Sequence, residues 1–396
     1  MKEFVDKWLW RFFKLLVLIV PKNRKLWAFG AWQGNLYGDN SKYLFEYVNR
    51  ECPGVRAVWI AGEKSVEEKV KNAGYCCYHR FSLKGILTWL RAGVCFETEG
   101  NQDLTPAVGM GKQKIIQLWH GMGIKAVGLE SGWYKEQPEE EADAQKQMFE
   151  KVYAKWYWLC ASEEAKKKYS RSFAVPEEQF IITGQPKDDS FVNVKENETV
   201  MQLRERFPGA RIAVYLPTHR NFGKNSQISD IMSVESLRAA DAKLQEKNIV
   251  MIFKPHFHEL AKYAGYEAEF TNIIFATDKQ KYGDVYEFLP SCDLLITDYS
   301  GIMFGYLASN KPILYFAYDY ESYVTEDAGF CYTYEDIVYG PICRTWDEVI
   351  EQAAVIRPED YEELRKKQQA RFCPYDDGKS CERVYRQVCQ LLEMIH

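Results

Sequence analysis

The sequence predicts an α/β fold built in two halves, and three observations carry that expectation. Short apolar, β-prone runs alternate with helix-period segments through both halves, as in parallel βα units. Three of these runs break abruptly into polar residues: IIQLWHGMGIKAVG at 115–128, FKPHFHE at 253–259 and LLITDYSGIMFGYLASNKPILYFAYD at 294–319. The chain has 396 residues, 46% hydrophobic and 15% aromatic, enough for two cores of ordinary size. In open α/β sheets ligands bind at the carboxyl ends of strands, where helix N-termini favour phosphate. A two-sided cleft with phosphate-binding character is therefore expected.

The elements follow in chain order. Residues 4–20 read FVDKWLWRFFKLLVLIV. Lys7, Arg11 and Lys14 form one stripe at helical spacing, with Trp8, Trp10, Phe12 and Phe13 around it. The uncharged run from Leu15 to Val20 is too short for about 30 Å of hydrocarbon, and no small-residue cleavage site follows. A basic stripe beside bulky aromatics suits a helix lying in an anionic membrane interface. A helix packed on the protein body is the alternative. Strands are expected at 26–32, 56–62, 93–99, 114–120, 156–162 and 180–184, with helices at 65–74 and 138–156. A polar, turn-rich boundary lies at 184–199. Strands at 211–220, 249–258, 272–277, 293–300 and 311–319 follow, with helices at 233–248, 302–310 and 345–356. A last helix spans 380–395, apolar at 384, 388, 391, 392 and 395.

Lys and Arg number 51 against 56 Asp and Glu, a net charge of −5. That balance speaks against a general nucleic-acid binder. The eleven cysteines include no CxxC pair, so neither a zinc site nor a disulfide framework is suggested, and most read as small core residues in a reducing compartment.

His120 ends an apolar run and precedes Gly121, whose lack of a side chain lets a substrate approach the backbone. An imidazole there can take a proton from an attacking hydroxyl, or serve as a hydrogen-bonded strand end. Lys125 adds positive charge toward a phosphorylated acceptor, or is a solvated surface lysine. Lys254, His256 and His258 alternate, so they face one side if the strand persists through Pro255, where they would neutralise a diphosphate. A metal site is the weaker alternative. Ser300 and Gly301 open a helix whose free N–H groups would meet an anion, with Ser300 as N-cap. Asp298 orients a base, holds a ribose hydroxyl or holds the turn. Thr218 and Arg220 end a strand, and Arg220 grips a phosphate or makes a structural ion pair. Asp319 and Glu321 form a DxE pair of the metal-binding kind, but the late position and two-halved pattern argue against that role.

Taken together, the runs at 115–128 and 294–319, YLPTHR at 215–220 and FKPHFHE resemble, in order, the motifs of CDP-glycerol glycerophosphotransferases, over roughly residues 100–385. The resemblance implies a GT-B-like fold: two Rossmann-like domains facing a central cleft, with an N-terminal amphipathic helix and a C-terminal helix. It implies a membrane-associating helix at 1–22, an acceptor domain at 23–190, a CDP-donor domain at 191–375 and a helix at 376–396 crossing back to the first domain. It implies His120 as general base, acting with His256. Thr218, Arg220, Lys254, His258, Asp298, Ser300 and Gly301 would hold the donor phosphates, and Gly121 and Lys125 the acceptor. The donor would be CDP-glycerol or CDP-ribitol and the acceptor lipid-linked, at the cytoplasmic face of the membrane, with no metal or other cofactor. The chain departs from the family where Lys254 stands for the commoner Arg and Ser300-Gly301 for Ser-Ser. The first keeps charge but loses bidentate geometry.

Overall fold

The structure, a computed structural model, describes residues 16–100, 102–105, 112–218, 230–256, 259, 263, 265–326 and 330–393. The chain divides into two units. Met1–Gly121, Glu139–Asp189 and Tyr375–His396 form one; Met122–Pro138 and Ser190–Pro374 form the other.

The first unit carries seven strands: β1 (Asn23–Phe29), β2 (Arg56–Ala61), β3 (Cys77–His79), β4 (Ala92–Glu97), β5 (Lys114–Gln117), β6 (Tyr157–Cys160) and β7 (Phe180–Ile182). Their order is β3-β2-β1-β4-β5-β6-β7, and every pairing is parallel. The second unit carries β8 (Arg211–Leu216), β9 (Ile249–Phe253), β10 (Ile273–Phe275), β11 (Leu294–Thr297), β12 (Ile313–Phe316) and β13 (Ile342–Cys343). These are parallel too, in the order β10-β9-β8-β11-β12-β13. Each sheet steps one way from its first strand and then reverses, the doubly wound order with a switch point beside that strand. The fold is α/β with two Rossmann-like sheets, as expected. Strands buried on both faces read as continuous apolar runs, which is why β8, β9 and β11 were legible. The short edge strands β3 and β13 were not anticipated.

Three of the helices named here start at a side-chain cap. Helix α1 (Asp39–Glu51) buries Leu44, Phe45 and Val48. Ser162 caps α2 (Glu163–Phe173), Ser233 caps α3 (Val234–Glu246), and the one-turn α4 spans Ile302–Tyr306. Thr345 caps α5 (Trp346–Val355). The last helix, α6 (Ser380–Leu391), buries Val384, Val388 and Cys389 in the core of the first unit, among Trp27, Phe45 and Trp59. Each fully buried large apolar side chain contributes roughly 1.5–3 kcal/mol, so α6 is an integral part of that unit. Asp189 fixes its start: the carboxylate accepts the backbone N–H groups of Ser380 at 2.8 Å and Cys381 at 2.9 Å.

Strand β9 ends at Phe253 and does not run on to 258. Pro255 brings no N–H to the ladder and biases the residue before it. Lys254 and His256 therefore lie beyond the strand, and their shared face does not follow from β alternation. All eleven cysteines are free, and nine are buried. Lys7, Trp8, Arg11 and Lys14 lie outside the described residues, as do Arg220 and His258. Among the described residues no helix is long and apolar enough to cross a membrane.

Candidate active site

In the first unit the chain turns sharply after β5, and side chains from three other elements hold that turn. Asn40 Nδ2, from α1, donates to the carbonyls of Leu118 at 3.2 Å and Trp119 at 2.9 Å. Lys187 Nζ donates to the His120 carbonyl at 2.7 Å, and the Tyr169 hydroxyl, from α2, donates to the Gly121 carbonyl at 2.6 Å. Four consecutive carbonyls are thus held by side chains. The backbone is unusual here: Trp119 has φ 52° and Gly121 φ 105°. Gly121 fits because glycine adopts that region without steric cost. Trp32, Gln33 and Asp39 also have positive φ, at 48°, 56° and 59°. Left-handed non-glycine residues are uncommon, and such strain gathers at functional sites.

His120 stacks on Trp119 at 4.1 Å between ring centroids and lies 5.5 Å from the Trp32 ring. Its Nδ1 is buried with no hydrogen-bond partner. Burial is the main influence on the ring and brings its pKa down to about 4; Asp39 and the Thr98 backbone oppose this, and Lys187 reinforces it. The ring is therefore neutral near pH 7 and able to accept a proton.

In the second unit the switch point lies between β8 and β11, and Asp298 spans it. Its carboxylate accepts Thr218 N–H at 2.9 Å, Thr218 Oγ1 at 2.5 Å and Tyr299 N–H at 2.6 Å. Asp298 is fully buried, and Tyr334 donates its hydroxyl to the Asp298 carbonyl at 2.9 Å. These bonds let Asp298 hold the turn, one of the roles expected of it, with Thr218 as its partner. Lys254 follows β9, with its N–H on Tyr215 O at 3.0 Å. Burial lowers its pKa and Asp284 partly restores it. His256 lies two residues further on and turns the chain, its carbonyl accepting Glu259 N–H at 2.8 Å.

Ser300 is not the N-cap of the following helix. Gly301 occupies that place, and α4 is a single turn with no side-chain cap; Ser300 Oγ accepts Ile302 N–H at 3.4 Å. Gly301 also answers to a neighbour: a Cβ added there would lie 2.3 Å from the Met122 carbonyl oxygen. The absent side chain makes room for the protein's own backbone. Lys125, in the same unit, sits 4.8 Å over the Tyr323 ring. Of the DxE pair, Asp319 is buried and accepts the Tyr299 hydroxyl at 3.0 Å. Among the described residues no group of three His, Cys, Asp or Glu side chains is placed to hold a metal ion.

Asp39, Asn40, Tyr169 and Lys187 are not among the residues that the sequence singles out. Signals are present: GDNSK at 38–42 is a polar cluster opening a helix, and GQPKDD at 184–189 lies in the polar, turn-rich boundary.

A family profile described as CDP-Glycerol:Poly(glycerophosphate) glycerophosphotransferase matches residues 12–390. The chain belongs to this family. It is 24% identical to the teichoic acid poly(glycerol phosphate) polymerase of Bacillus spizizenii, with 94% of each protein covered. It is 25% identical to the teichoic acid glycerol-phosphate transferase of Staphylococcus aureus, with 97% of each covered. Ribitol-phosphate polymerases of the same two organisms are similar over 69% of this chain. Among solved structures, the wall teichoic acid polymerase TagF has the same fold, with TM-score 0.79, 22% identity, and 97% of this chain and 93% of that chain covered. This GT-B-like protein is thus a transferase of the CDP-glycerol glycerophosphotransferase class.

Proposed function

We propose that the protein transfers glycerol phosphate from CDP-glycerol to a hydroxyl of a lipid-linked acceptor in teichoic acid synthesis, at the cytoplasmic face of the membrane. The observation that carries this reading is the turn at 118–121, whose four carbonyls are held by side chains so that a neutral His120 is presented. His120 takes the proton of the acceptor hydroxyl as its oxygen attacks the β-phosphorus of the donor. The new P–O bond forms as the diphosphate P–O bond breaks, and CMP leaves with the bridging oxygen and its electrons. Lys254 and His256 would hold the donor phosphates with fixed hydrogen-bonding groups, in the place a metal takes elsewhere. Lys7, Trp8, Arg11 and Lys14 would keep the enzyme at the membrane.

CDP-ribitol is the second reading, favoured by the similarity to ribitol-phosphate polymerases; two polyols differ by only a few hydrogen bonds. The test is incubation with labelled CDP-glycerol or CDP-ribitol and lipid-linked disaccharide acceptors, with sizing of the products and assay of released CMP. Preferential transfer from CDP-glycerol is expected, and it should persist in EDTA. His120→Ala should lower the rate by roughly 10²–10⁴-fold with donor affinity little changed. His256→Ala should weaken donor binding as well. Undiminished turnover in His120→Ala would end the base assignment, and preferential use of CDP-ribitol would move the enzyme to the second reading.

A further inference from the structure

We propose that Asp39 is the electrostatic and positioning partner of His120, and that Lys187 is the clamp joining the Asp39 carboxylate to the His120 backbone. The proposal rests on the reading of His120 as the base. Lys187 Nζ lies 3.0 Å from Asp39 Oδ1 and 2.7 Å from the His120 carbonyl oxygen, so one ammonium holds both residues. The pair is deeply buried, with side-chain exposures of 6% for Lys187 and 9% for Asp39. Asp39 Oδ1 also accepts the Asn40 N–H at 2.8 Å, and Oδ2 accepts Trp32 Nε1 at 3.0 Å. That indole is the ring lying beside His120. Asp39 therefore reaches His120 by two routes: through Lys187 to its backbone and through Trp32 to its ring.

Burying an ion pair is costly, and it is a weak source of stability. Here it is combined with a left-handed backbone at Asp39, φ 59°. Both features are explained if the site needs a fixed carboxylate near a group that becomes charged. Burial would raise the Asp39 carboxyl, but Lys187, His120 and the hydrogen bonds from Lys187 and Asn40 bring it below its usual range, so it is ionised. When His120 takes the acceptor proton, positive charge appears on the imidazole. The Asp39 carboxylate favours that charge, and the Lys187 ammonium opposes it. Among the described residues these are the two charged side chains that act on the ring, Asp39 from α1 and Lys187 from the turn at Pro186–Asp188. The two substitutions should therefore act with opposite sign, which loss of packing would not produce.

The test is NMR titration of isotope-labelled histidine in the full-length chain, alongside the pH profile of kcat with CDP-glycerol. Asparagine tolerates the left-handed region, so Asp39→Asn suits the backbone. It should move the His120 titration to lower pH, by about one unit or tenfold in the protonation equilibrium. Lys187→Met should move it to higher pH by a similar amount, and Lys187→Arg, which keeps the charge, should leave it near wild type. The limb of the kcat profile should shift in the same directions. If Asp39→Asn does not fold, the contrast between Lys187→Met and Lys187→Arg decides. A His120 titration unmoved by the variants that fold overturns the proposal. Shifted titrations with an unshifted kcat profile would uphold the pairing and overturn the base role of His120.

Discussion

Gly301 shows how one residue type serves more than one master. Read from sequence, a glycine after a strand end leaves space for a diphosphate. In the fold the side-chain position itself is taken, because a Cβ would meet the Met122 carbonyl at 2.3 Å and Gly123 Cα at 3.4 Å. Gly301→Ala must therefore displace the 122–123 backbone or α4. Overpacking of this kind costs about 1–3 kcal/mol. A lowered urea midpoint is expected, with a further loss for Gly301→Val; a midpoint equal to wild type would show that the backbone yields freely. His120 teaches the complementary lesson. Its type and place at a strand end were legible. Its neutral state was not, since that depends on burial by residues remote in sequence.

Among the elements, the segment at 186–189 does more than connect. Asp189 holds the start of α6, while its neighbour Asp188 is buried with Oδ1 unpartnered. Burial is the main cause that raises the Asp188 carboxyl to about 7; Asp189 and Asp39 add to the rise, and Lys187 opposes it. The sign follows from linkage. An unfolded aspartate titrates near about 3.9, so between there and about 7 the folded protein holds more protons, and stability falls as pH rises through that window. Asp188→Asn removes this contribution. Its unfolding midpoint should equal wild type below about pH 4 and exceed it by a growing margin up to pH 8. A margin that does not change with pH would show that Asp188 is ionised or solvated in the folded state. Strand ends show the same dependence on surroundings: the composition of 249–258 reads as one strand, yet Pro255 removes the ladder donor, and β9 stops two residues before it.

For the whole molecule, the two parallel sheets account for where chemistry can gather, since each exposes a switch point at the carboxyl ends of its strands. The amino-terminal stripe of Lys7, Arg11 and Lys14 adds a reading about location. The described part of the chain begins at Leu16, and Val17 is fully buried. Removing residues 1–15 takes away this stripe and leaves the buried Val17 in place. The shortened protein should fail to sediment with anionic vesicles, and the full chain should bind them more weakly at high salt. Equal sedimentation of both forms would sink the membrane reading of this stripe.

Periodicity and composition by themselves determined the α/β class, most of the strands and the placing of His120, Thr218, Lys254 and Asp298 near strand ends. Buried parallel strands are uniformly apolar, and their polar terminations stand out against that background. The tertiary structure alone decided which polar residues meet. Asp39, Asn40, Tyr169 and Lys187 lie far from His120 in sequence, and no local pattern links them to its turn. Only the packing of α1, α2 and the 186–188 turn around β5 brings their donors to four successive carbonyls. The same holds for Asp298, which is one acid among many in the sequence. Its work is set by the pairing of β8 with β11, which places Thr218 against it. Local sequence specifies elements through backbone propensity and burial pattern, whereas long-range hydrogen bonds and desolvation exist only once those elements have packed.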